Sequence, residues 1–149
     1  VYLLDAKAVG RNGHAAILIG SDDYGWKYFS YGFGSSLMNP YGANTADNLD
    51  FRAFRSFDEA RTDNTLSRYD KFLRWDSDKA HDQQAVEEIR KYFDNDKGYN
   101  VFKQNCDDIA IKGIQAAGVD VVDEWKPKNT YKQNESKCKE SGGFPKKAE

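Results

Sequence analysis

Of the two cysteines and two histidines in this chain, one of each stands where its side chain could do chemistry. Cys106 follows Asn105 in "NCDDIAIKGIQAAG", whose apolar spacing predicts a helix with Asn105 as N-cap, Asp107 and Asp108 in the first turn and Gly118 as the stop. A thiol at the first helical position meets free backbone amides and the positive end of the helix dipole, and both favour the thiolate. The amide of Cys106 is then free to hold an oxyanion, so one placement supplies a nucleophile and part of its charge stabilisation. Asp107 and Asp108 by themselves oppose thiolate formation, and a lone helical cysteine is more commonly a small core hydrophobe.

His14 heads the apolar run "HAAILIG". An imidazole there is suited to be general base toward a thiol and general acid toward a leaving group, although a histidine at a strand end is more often structural. His81 falls in the first turn of a polar helix, where capping or solvation explains it. Cys138 lies in a polar tail and reads as a free surface thiol.

The elements that must position these groups are legible to different degrees. Residues 1–9 form a short apolar-rich lead-in that ends in the turn-forming "GRNG". "HAAILIG" is apolar on both alternating faces, as an inner strand covered on both sides would be. "SDDYG" is turn chemistry and "WKYFSYG" is aromatic and β-prone, which together predict a hairpin. If that turn centres near Asp22, His14 and Ser30 lie directly opposite and project from one face. Residues 33–48, rich in Gly, Ser and Asn, predict a long loop in which Leu37, Met38 and Tyr41 could shape an apolar groove or tuck against the core.

"FRAFRSFDEARTD" predicts a strand passing into a short helix, and "RYDKFLRWD" alternates as a strand does, although Tyr69, Phe72 and Leu73 would also fit one helical face. Asp78 or Ser77 caps a helix whose apolar positions are Ala85, Val86, Ile89, Tyr92 and Phe93. "YNVFKQ" is a brief extended entry to the cysteine helix. The expected division is one catalytic domain over residues 1–126 and a peripheral segment over 127–149 with a disordered end.

Composition removes several functions. The 149 residues carry 22 basic and 24 acidic side chains, so no global field draws the chain to nucleic acid or an anionic membrane. No apolar run approaches the ~18 residues of a membrane span. Two cysteines in unlike contexts do not make a disulfide framework, and the compartment stays open. The scattered His and Cys residues lack metal-ligand spacing, and no cofactor is expected. Trp26, Tyr28, Phe29 and Tyr31 read as sheet packing, with no basic groove to accompany base stacking. The chain begins with Val1, as expected of a piece cut from a longer protein.

"GHAAILIG" followed much later by "NCDDIA" resembles the circularly permuted papain-like thiol enzymes, the group of lecithin:retinol acyltransferase-like proteins and permuted relatives of NlpC-type peptidases. Their pattern is a His opening a strand, a turn, a second strand bearing a polar residue, and an Asn-Cys pair opening a helix. The resemblance implies an α+β, permuted papain-like fold: a small antiparallel sheet with a nucleophile-bearing helix packed on it. It implies Cys106 as nucleophile, His14 as its base, and Ser30 where relatives commonly carry a second histidine. Serine orients an imidazole more weakly, and a backbone carbonyl or water is the alternative. Gln104 or Asn105 would support the Cys106 amide in the oxyanion hole.

The later half of the chain, from "YDKFLRWD" to "WKPKNTYK", is also similar to the C-terminal toxin domains of bacterial Rhs-type polymorphic proteins. That implies a domain secreted or delivered into a target cell as part of a larger protein, with a cognate immunity protein over the cleft between His14 and Cys106. The expected activity is thiol-dependent hydrolysis or acyl transfer, leaning to membrane lipid esters. Amide cleavage in cell-wall peptides or protein conjugates is the alternative within that class, and a non-catalytic binding module the alternative outside it.

Overall fold

The computed structural model describes residues 1–6, 14–31, 49–95, 106–122 and 127–144, with side chains included except at positions 5, 6, 14, 31, 49, 92–95, 106–108, 127 and 128. Over these residues it is an α+β fold, a six-stranded antiparallel sheet with four helices packed against it. The strands are β1 (Tyr2–Ala6), β2 (His14–Ser21), β3 (Gly25–Tyr31), β4 (Leu49–Phe54), β5 (Lys71–Arg74) and β6 (Glu140–Gly143). The helices are α1 (Phe57–Thr62), α2 (Lys79–Asn95), α3 (Cys106–Ala116) and α4 (Pro127–Asn134), and a 3-10 turn spans Leu66–Arg68. Across the sheet the order is β4-β3-β2-β1-β5-β6.

β2 is apolar at every position from Ala15 to Ile19 because both of its faces are covered. Ala15, Ile17 and Ile19 join Leu3, Phe29 and Leu73 beneath Ala85 and Ile89 of α2 and Ile109, Ile111 and Ile114 of α3. Ala16 and Leu18 face the other way, among Leu4, Tyr28, Leu66, Tyr69 and Phe72. The first face thus carries α2, α3 and α4, and the second carries α1, the 3-10 turn and a set of aromatic rings that includes Trp26 and Phe144.

The hairpin forms as its composition demands, but its register differs by one step along the face. Ser21 pairs Gly25, so the turn centres on Asp23, and Ser30 lies opposite Ala16 rather than His14. The cause is local: Gly25 adopts φ +88°, and the Asp22 carboxylate accepts both the Trp26 indole N–H and the Phe57 amide at 2.8 Å. These contacts place the reversal one residue later than a turn centred on Asp22 would.

The lead-in is itself an inner strand. β1 lies between β2 and β5, and a reciprocal pair of hydrogen bonds between Val1 and Trp75 (2.9 and 3.0 Å) extends the β1–β5 ladder by one residue pair. β4 followed by α1, the strand β5, and α2 with Asp78 as its cap all match the sequence reading; the Asp78 carboxylate accepts the His81 amide at 2.8 Å. Tyr92 and Phe93 belong to α2, with side chains outside the described set.

The segment after residue 126 is not peripheral over its described length. Tyr131, Thr130 and Asn134 of α4 are buried, β6 pairs with the open edge of β5, and Phe144 closes onto the aromatic face. A strand edge left bare by β5 explains this, since its backbone groups need partners. The exposed positions carry the Lys, Asn and Ser composition that reads as tail. Residues 145–149, the long loop over 33–48 and the entry "YNVFKQ" lie outside the described residues, as do Gln104 and Asn105.

Candidate active site

Cys106 opens α3 and His14 opens β2, as their neighbours predict. Their backbones can be related through a contact both elements share. A β-carbon on Gly113 of α3 would stand 2.8 Å from Ile17 Cδ1 of β2 and 2.6 Å from Ile89 Cδ1 of α2, so the glycine lets the three elements approach. From that contact β2 runs forward to the hairpin turn, where Tyr24 bonds to Asp82 near the start of α2. α3 runs forward to Gly118, which lies against the His81 ring, also near the start of α2. Both therefore run toward one end of the layer, and both begin at the other.

The two beginnings lie at similar chain lengths from that contact. Ile17 to His14 is three strand residues, roughly 10 Å at the usual strand rise. Gly113 to Cys106 is seven helical residues, again roughly 10 Å. The side chains of Cys106 and His14 are outside the described set, as are Gln104 and Asn105 entirely.

Ser30 lies at the same end but on the other face. It is paired with Ala16, which joins the Leu18 and Tyr28 side of the sheet, whereas α3 packs on the side of Ile17. Its hydroxyl is hydrogen-bonded to that of Tyr28, which lies 2.7 Å from the Tyr69 hydroxyl. Burial pushes the Tyr28 phenol up to about 12, against the pull of its bonds to Tyr69 and Ser30. Ser30 thus belongs to a buried hydroxyl chain.

The residues that sequence reading passed over lie at the hairpin end. Asp82 is only 3% exposed; it accepts the hydroxyls of Tyr24 and Ser77. Partial burial and the Asp82 bond raise the Tyr24 phenol to about 12. The signal was available in the spacing, because Asp82 shares the helical face of Ala85, Val86 and Ile89 and must be buried with them. His81 sits where its position implies, capping with Asp78, whose carboxyl is held below its ordinary range first by the His81 amide and then by the ring.

Cys138 is free and half-buried, its thiol 3.2 Å from the Glu135 carbonyl. Among the described residues no group of three His, Cys, Asp or Glu side chains is arranged to hold a metal ion, and no helix is long and apolar enough to cross a membrane. No protein-family model, no curated protein and no solved structure matches this chain.

Proposed function

We propose that this chain is a thiol-dependent acyl-transfer domain of the permuted papain-like kind, with Cys106 as nucleophile and His14 as its proton carrier. The observation that supports it is that β2 and α3 begin toward the same end of the layer, at similar chain lengths from the Gly113–Ile17 contact. His14 takes the thiol proton as sulfur adds to the carbonyl carbon of an ester or amide. The Cys106 amide, at a helix start, holds the resulting oxyanion. Collapse returns the proton from the imidazolium to the leaving alcohol or amine and leaves a thioester, which water hydrolyses or a second acceptor takes over.

Within this reading the substrate is a membrane lipid ester, with a cell-wall peptide or protein-conjugate amide as the alternative. The domain acts as a bacterial toxin carried by a larger protein, and an immunity protein covers the end of the sheet where β2 and α3 begin. Ser30 is not part of the proposed machinery, because its hydroxyl is engaged with Tyr28 on the face away from α3.

One observation favours a second reading, a binding module without catalysis. Position 14 has the parity of Ala16 and Leu18, which face away from α3, so a dyad requires the chain to leave strict alternation at the first residue of the strand. Iodoacetamide rates against pH separate the two. A dyad gives Cys106 an alkylation midpoint well below that of Cys138, abolished by His14→Ala, and lipid or cell-wall profiles that change with wild type but not with Cys106→Ala. Equal midpoints for the two thiols and identical profiles would establish the binding module instead.

A further inference from the structure

At the opposite end of β2 a cleft of about 390 Å³ opens between the hairpin and the outer side of α2. That is the size of a small-molecule site. Six strand residues separate Gly20, on its wall, from His14, roughly 20 Å of chain, so the cleft is a separate place from the proposed thiol centre.

Its charge is uneven in a useful way. Lys27 stands opposite Ile19 in the β2–β3 ladder, while Lys79 and Arg90 line the other wall from α2. None of the three has an ion-pair partner among the described residues. Of the two acids in the lining, Asp82 is buried and accepts the Tyr24 and Ser77 hydroxyls. With Glu87 the lining sets three cations against two carboxylates, an excess of one positive charge.

The remaining surface is apolar and held open. Ile19 and Val86 form its apolar part. Gly20, at φ +142°, cannot carry a side chain, because a β-carbon there would stand 2.1 Å from the Gly25 carbonyl oxygen. Tyr24 is tied to Asp82 and has the Lys79 ammonium 5.9 Å above its ring, which makes it a positioned wall rather than a loose flap.

We propose that this cleft binds a small organic anion, its carboxylate or phosphate against Lys27 and Arg90 and its apolar body on Ile19 and Val86. Lys79 closes the site at the Tyr24 wall. A hydrated inorganic anion would satisfy the cations but leave the apolar surface uncovered, and a neutral apolar molecule would do the reverse.

The test is an amide NMR titration of the full chain with phenyl phosphate, benzoate, inorganic phosphate and benzyl alcohol. Saturable shifts at Gly20, Gly25 and Val86 are expected with phenyl phosphate, with benzoate, or with both; which of the two binds tighter tells phosphate from carboxylate. Inorganic phosphate and benzyl alcohol should each bind at least about tenfold more weakly than the tighter of those two. Lys27→Met and Arg90→Met should each weaken that binding about fivefold or more, while Lys91→Met, at a lysine paired with Glu88 outside the cleft, leaves it unchanged. Absence of saturable shifts at those amides with both organic anions, equal binding of inorganic phosphate or benzyl alcohol, or an equal loss in Lys91→Met overturns the proposal. The amide spectrum of each variant reports its fold in the same experiment.

Discussion

Gly113 of α3 lies directly against Ile17 of β2, with no room between them for a β-carbon. This contact sets how closely the cysteine helix rides on the histidine strand. Every residue added to the chain before or after it is measured from that point.

Gly113→Ala should therefore destabilise the fold although alanine is the better helix former. The new methyl would come within 2.6–2.8 Å of the Ile89 and Ile17 Cδ1 atoms, and overpacking of this kind costs about 1–3 kcal/mol. Urea unfolding should show a lower midpoint, partly restored when Ile89→Val is added. A raised midpoint would mean that the ends of Ile17 and Ile89 yield to the methyl and that the helix propensity of alanine prevails.

Stability should fall on the alkaline side. Tyr28 and Tyr24 are both raised to about 12 in the folded chain from an ordinary value near 10. A raised folded value contributes stability that is fully present below the unfolded value and is lost as pH climbs through the folded one. The window is thus from about pH 10 to about pH 12. Urea midpoints measured across it should drop, and Tyr28→Phe should reduce the drop while costing about 1 kcal/mol at neutral pH through its lost bond to Tyr69.

The acid limb has the opposite sign. The Trp26 indole, and next to it the Phe57 amide, hold the Asp22 carboxyl below its ordinary range. A depressed folded value contributes stability present above the unfolded value and lost as pH falls through the folded one. Asp22→Asn should flatten the acid dependence of the urea midpoint below about pH 4, and a limb of unchanged slope would remove Asp22 from it.

Asn134 is fully buried, and its side chain stands in for a strand: its amide donates to the Val122 and Thr130 carbonyls and its oxygen accepts the Val122 amide, each at 2.8 Å. Asn134→Ala leaves these groups without partners and should cost at least about 2 kcal/mol. Thermal or urea unfolding measures this, and a loss below about 0.5 kcal/mol would indicate that water replaces the side chain.

For the proposed chemistry, Cys106→Ala should abolish turnover on the substrate that profiling identifies. Ser30→Ala should retain at least about a third of wild-type turnover, since its hydroxyl serves Tyr28. A loss of roughly a hundredfold or more in Ser30→Ala, with the fold intact, would return that residue to the catalytic set.

Local chemistry carried much of this architecture. The doubly apolar "HAAILIG", the Asp-rich turn, the aromatic second arm, the Asp78 cap and the helical spacing from Cys106 onward each state a period or a stop that neighbouring residues can enforce. β1 escaped because "YLLDA" is too short to display a period, and it is a strand only because β2 and β5 flank it. The segment after residue 126 escaped because its composition is that of a solvated tail, while Tyr131 and Phe144 find burial only against distant parts of the chain, Phe72 among them.

By itself the sequence determined the elements and the place of each chemical group within its element, a thiol opening α3 and an imidazole opening β2, because caps, periods and turns act over a few residues. Only the tertiary structure decided that β2 and α3 run toward the same end of the layer, that Ser30 faces away from α3, and that Lys27 and Arg90 share a cleft. Those relations depend on strand register and on one close helix contact at Gly113, and both are settled by packing between residues far apart in the chain.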